Sequence, residues 1–133
     1  VIVADTNLVV NFLVRGEHSH LADAVYTRDA SWHMPPLWRS EFANTLATLA
    51  RAKQISAATA TDALRHGLAL FGAHEHASDM PRVLQIALAS GCTAHDCEFV
   101  ALAETLAAPL VTADKAILRA FPNVAVSPAD FAR

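Results

Sequence analysis

The chain has 133 residues, enough for one domain with a proper core. Hydrophobic residues make up 53% and charged residues 17%, which excludes a disordered chain and hints at an apolar surface covered by a partner. The formal net charge of −3 argues against binding nucleic acid by electrostatics alone, and no apolar run reaches the ~18 residues needed to span a bilayer.

The elements follow in order. Val1 to Ala4 is apolar and β-branched and predicts a buried parallel strand, closed by the turn chemistry of Asp5-Thr6-Asn7. Leu8 to Leu13 continues as a short helical turn, broken at Arg15-Gly16. Glu17 to Asp29 has the spacing of an amphipathic helix, with Leu21, Ala24 and Val25 on its apolar face. Ser31 to Met34 predicts a short strand stopped by Pro35-Pro36. Leu37 to Lys53 predicts a long helix with Phe42, Leu46, Leu49 and Ala50 inward, and Ser56 caps a second one that Gly72 ends near Phe71. Ala73 to Ser78 is polar, with His74, Glu75 and His76, and predicts an edge strand. Pro81 opens a helix to about Ser90, and Thr93 opens another to about Leu106. A strand over Pro109–Thr112, a helix over Ala113–Phe121, a strand over Val124–Val126 and a final turn complete the chain.

Strands and helices alternate, with helix in excess. That pattern predicts an α/β fold, a single domain over residues 1–133 in which a parallel sheet is sandwiched by helices. Sites in such sheets lie beyond the carboxyl ends of the strands. Asp5 follows the first strand and Asp114 follows the strand ending near Thr112, so both arrive at the same edge.

Four acids stand beside apolar runs: Asp5, Glu41, Asp96 and Asp114. Each has a bland role open to it. Asp5 and Asp114 suit turns and caps, Thr93 to Asp96 has the shape of a capping box, and Glu41 suits a first helical turn. Gathered in one place, the four form a negative cluster that needs cations, and Mg²⁺ or Mn²⁺ is the hard, oxygen-seeking ion for it. Small hydrogen-bonding residues of the kind that orient ligating carboxylates flank them: Thr6, Asn7 and Thr112, with Asn44 three residues beyond Glu41.

These residues carry a resemblance. Val3-Ala4-Asp5-Thr6-Asn7, then Pro36-Leu37-Trp38-Arg39-Ser40-Glu41-Phe42, then His95-Asp96-Cys97 through Ala103, and Pro109 to Lys115, in this order and spacing, resemble the PIN-domain family and within it the VapC-type toxins of type II toxin–antitoxin pairs. The resemblance implies a three-layer α/β/α sandwich and a metal-dependent endoribonuclease with Asp5, Glu41, Asp96 and Asp114 as its acidic set and Thr112 at the small hydroxyl position. It implies a dimer, an RNA substrate and a cognate antitoxin that covers the site. His95 stands where the family often has an aromatic residue, which leaves substrate preference open. Arg39, His95 and Lys115 are the candidate substrate contacts.

The two helices at Leu37–Lys53 and Ser56–Phe71 are rich in small residues, which suggests a groove between them for an antitoxin helix. Two cysteines, Cys92 and Cys97, are too few for a disulfide framework, and the opening residues lack a secretory leader, so a cytoplasmic location is expected. Two other functions fit less of the sequence. One is a catalytically silent PIN fold that binds RNA or acts as a scaffold, against which the complete acidic set speaks. The other is a phosphate-transfer domain with Asp5 as acceptor, although haloacid-dehalogenase-like enzymes carry an acid where this chain has Asn7.

Overall fold

A computed structural model describes residues 1–133. Its centre is a four-stranded, fully parallel sheet in the order β2-β1-β3-β4, formed by β1 (Ile2–Ala4), β2 (Trp32–His33), β3 (Leu110–Val111) and β4 (Ala125–Val126). Central strands of a sheet covered on both faces have no polar side to show. Accordingly Ile2, Val3, Ala4, Leu110 and Val111 are all completely buried.

Helices α1 (Thr6–Leu13) and α2 (Ser19–Arg28) link β1 to β2, and α3 (Trp38–Arg51), α4 (Ala57–Phe71), α5 (Met80–Ser90) and α6 (Ala94–Leu106) link β2 to β3. The short α7 (Lys115–Ala120) leads to β4, and α8 (Pro128–Phe131) closes the chain. One group of helices, α1 to α4 with α8, packs around α1 and α2, while α5 packs on α6 and α6 lies against β1 and β3. The expected α/β/α sandwich is therefore the fold.

An aromatic cluster anchors the first group. Trp32 stacks on Phe71 at 5.3 Å between ring centroids, Phe12 stacks on Tyr26 at 4.6 Å, and Trp38 lies 5.7 Å from Phe42. Such rings bury large apolar areas and add offset-stacking energy.

Local signals fix most boundaries. Ser56 accepts a hydrogen bond from the Thr59 amide at 3.0 Å as the cap of α4, and Asp79 accepts one from Arg82 with Pro81 in the first turn of α5. Gly91 ends α5 in the left-handed conformation, φ 75°.

Gly72 ends α4 as expected, in right-handed conformation, and opens a 3-10 turn, Gly72–His74. One expectation about the fold is corrected. The edge strand expected over Ala73–Ser78 shrinks to a single parallel bridge of Met34 with Glu75, because the 3-10 turn uses up the residues that would have extended it. α3 and α4 pack closely at one point. Gly67 lets the helices approach so nearly that a β-carbon there would lie 2.9 Å from the Phe42 ring.

Candidate active site

The four acids come from four helix starts. Asp5 is the cap residue of α1, Glu41 and Asp96 lie in the first turns of α3 and α6, and Asp114 is the cap residue of α7. Helix N-termini carry partial positive charge and unpaired amides, so they tolerate acids that would otherwise repel one another. Asp5, Glu41, Asp96 and Asp114 all line one hollow of about 280 Å³ beyond the carboxyl ends of β1 and β3. Thr6, Asn7, Val10, Asn11 and Thr45 complete its wall.

One hydroxyl and two amides hold Asp5 in place. Thr112 Oγ1 donates to Asp5 Oδ2 at 2.7 Å, the Thr6 amide donates to Oδ1 at 2.8 Å, and Asn7 Nδ2 reaches Oδ2 at 3.3 Å. Asn7 also spans to the other strand. Its Nδ2 lies 3.3 Å from Thr112 Oγ1 and its Oδ1 accepts from the Ala113 amide at 3.2 Å. Thr6 Oγ1 donates to Glu41 Oε1 at 2.8 Å and so ties the α1 start to the α3 start. Asp114 Oδ1 accepts from the amides of Ala116 and Ile117 at 2.8 and 3.0 Å, and Thr112 Oγ1 accepts from the Asp114 amide at 3.0 Å. Thr112 is completely buried, so its hydroxyl serves only these neighbours.

The electrostatics match an uncompensated acidic pocket. Burial pushes the Asp5 carboxyl up to about 6, against the lowering hydrogen bonds of Thr112 and Thr6, and the charges of Glu41 and Asp96 raise it further. Burial also raises Glu41, with Asp96 adding to the rise and the Thr6 hydroxyl opposing it. Asp96 is raised by burial first and by the charge of Asp114, while Thr93 opposes. No lysine or arginine borders the hollow.

The donor set is all oxygen and carboxylate-rich, which fits a hard divalent cation. As they stand, no three of these side chains are close enough to grip one ion.

A model of the PIN domain matches residues 2–123. The chain belongs to the PIN-domain family. It is 28% identical over 124 residues to Ribonuclease VapC3 of Pyrobaculum aerophilum, a match that covers 91% of this chain and 95% of that protein. Its fold is also similar to the crystal structure of PAE2754 from Pyrobaculum aerophilum, with a TM-score of 0.79 at 21% identity, over 98% of this chain and 92% of that one.

Within this PIN domain the expected site residues separate clearly. All four acids, Thr6 and Asn7 line the hollow, and Thr112 supports it from beneath. Asn44 does not take part: it is exposed, and only its carbonyl is engaged, by the Thr48 hydroxyl. Thr45 takes that place. A step of four residues returns within about 40° of Glu41 on a helix, whereas a step of three falls about 60° short. Arg39 also stands elsewhere, with its guanidinium on Glu75 at 2.5 Å. His95 is exposed and near enough for its charge to lower Glu41 and Asp96, although it does not line the hollow. Lys115 lies just outside, next to Asp114. Asn11 and Val10 escaped the sequence reading. Asn11 recurs four residues after Asn7, the one signal that placed it on the same face.

Proposed function

We propose that the protein is an endoribonuclease of the VapC kind, dependent on Mg²⁺ or Mn²⁺ and silenced by a cognate antitoxin. The observation that carries this reading is the convergence of Asp5, Glu41, Asp96 and Asp114 on one hollow at the carboxyl edge of the sheet. The similarity to a protein named Ribonuclease VapC3 supports it. In this reading Asp5, Glu41 and Asp96 hold the cation directly or through water, and Asp114 acts through water. When bound, the cation supplies a Lewis acid that acidifies water and offsets the charge building on the phosphate.

The chain's own groups do the positioning. Thr112 and Asn7 fix the rotamer of Asp5 across two strands, and Thr6 fixes Glu41. A carboxylate left with a free oxygen orients the attacking water and takes its proton. The raised values of Asp5, Glu41 and Asp96 suit acids that share protons until positive charge arrives. Asp5 is buried with both oxygens hydrogen-bonded, which is poor placement for the acceptor of a phosphate-transfer domain.

We place the protein in the cytoplasm, as a dimer; no helix is long and apolar enough to cross a membrane. Met80, Leu84 and Leu88 support the dimer, since they form an exposed apolar stripe at four-residue spacing on α5, with Leu88 79% exposed. Sedimentation of Leu88→Glu as a monomer checks that assignment, and an unchanged mass contradicts it.

The test of the activity is cleavage of RNA by Asp5→Asn and Asp96→Asn with Mg²⁺ or Mn²⁺ supplied. Both variants should lose cleavage by at least ~10²-fold, the range of acid–base and metal-assisted steps, while melting at the same temperature or higher because repulsion is relieved. Wild-type rates in either variant, or activity that resists a chelator, would sink the assignment.

A further inference from the structure

A second cavity, of about 330 Å³, opens beside the acidic hollow. Its walls are mostly apolar, with Leu8 of α1, Leu21 of α2, Leu118 of α7 and Pro128 of α8, and His18 and Ser127 add polar groups. Asn11 lines both cavities, and Ala113 and Lys115, on either side of Asp114, line this one. The two spaces therefore share a wall, with an amide and an ammonium at the seam. Lys115 is exposed and makes none of the chain's ion pairs, so its charge is available at that seam.

Taking the ribonuclease reading as its basis, the geometry points to this cavity as a subsite for the nucleobase next to the scissile phosphate. A single strand that lays one phosphate against the acids must place the adjoining base within reach of the neighbouring cavity. An apolar slot of this size is at the small end of ligand sites, which run from about 300 to 1,000 Å³, and is of the right order for one planar base. Apolar walls accept the faces of an unstacked base, and the Asn11 amide offers a donor and an acceptor to its edge. Lys115, at the seam, then meets a phosphate flanking that base. This sets one positive charge beside the acidic hollow, and it makes the Asn11–Leu21–Lys115 surface a determinant of which base flanks the cut.

Mapping the cut sites of the wild-type protein in a pool of short RNAs of random sequence tests this. The subsite predicts a base preference at one position beside the cut. In Leu21→Trp, which fills the cavity from a half-buried position, that preference should flatten and KM should rise about tenfold, the size of one base contact, with kcat within twofold. Lys115→Ala should lower the dependence of log binding on log salt by about 0.7, one phosphate contact to a single strand, at unchanged melting temperature. A 4-thiouridine strand bound to Asp96→Asn should cross-link to α2 or α8. The proposal is overturned if the profiles of wild type and Leu21→Trp coincide while Asp5→Asn still abolishes cleavage; the ribonuclease reading then stands alone. It is overturned equally if Leu21→Trp leaves the RNA profile intact and instead loses a co-expressed protein partner, which would make the cavity a protein contact. A wild-type protein that cuts no RNA with either cation overturns both readings.

Discussion

Two regions of this molecule gather titratable side chains, and they are built in opposite ways. At the β2 edge of the sheet, His33, His74 and His76 lie together with the Arg39–Glu75 pair. His33 Nδ1 meets His76 Nε2 at 2.7 Å, His33 Nε2 meets Ser31 Oγ at 2.9 Å, and His74 Nδ1 donates to the Trp32 carbonyl at 2.9 Å. His33 stacks on His74 at 4.8 Å. Here the groups satisfy one another, and the result is a clasp that fastens the chain after α4 to the edge strand. At the carboxyl edge the neutral groups of Thr6, Asn7 and Thr112 hold Asp5 and Glu41, helix amides hold Asp114, and no lysine or arginine borders the hollow. A cluster whose members complete each other's bonds is a structural device. A cluster held in place by neutral groups, with its charge left over, suits a charged visitor.

Activity separates the two regions most sharply. Asp96→Asn should abolish RNA cleavage, whereas His76→Ala should keep kcat within twofold and lose stability only. Parallel cleavage assays and melts read this directly, and a His76 variant as dead as the Asp96 variant would erase the distinction.

Stability against pH comes next, because the two clusters have opposite slopes. Asp5 is raised from 3.8 to about 6, so the fold holds its proton where the unfolded chain has lost it. Its contribution is fully present below about pH 4 and is lost as pH rises through 6, a term of up to about 3 kcal/mol. His33 is lowered from 6.5 by burial first and then by His74 and His76. The fold prefers it neutral, so its contribution is present above 6.5 and is lost as pH falls below that value. Urea unfolding from pH 4 to pH 8 should show Asp5→Asn gaining most relative to wild type above pH 6. His33→Gln should change the slope less, and only near and below pH 6.5. Parallel curves for Asp5→Asn and wild type across that range would contradict the buried-acid account.

Much of this architecture was legible in the residues. β1 and β3 are continuous β-branched or apolar runs, and only a sheet covered on both faces wants those. Their position alone put Asp5 and Asp114 at one edge. For these two acids capping and a place in the hollow go together, since each bonds helix amides and lines the hollow. What escaped depends on tertiary partners. Arg39 sits two residues before Glu41, yet Glu75, distant in sequence, takes its guanidinium. The histidine clasp needs His33 beside His76, a pairing that local pattern does not encode. Asn44 and Thr45 differ by one helical step, and only the orientation of α3 on α1 decides which faces the hollow.

The most direct measurement is ion binding without any RNA. Calorimetric titration of Mn²⁺ into wild-type protein, Asp96→Asn, Glu41→Gln and His76→Ala should give a saturable site in the wild type and in His76→Ala, weakened at least tenfold in the two acid variants. Equal affinity in all four proteins, or binding that vanishes only when His76 is removed, would contradict the claim that the four acids form one cation-holding centre.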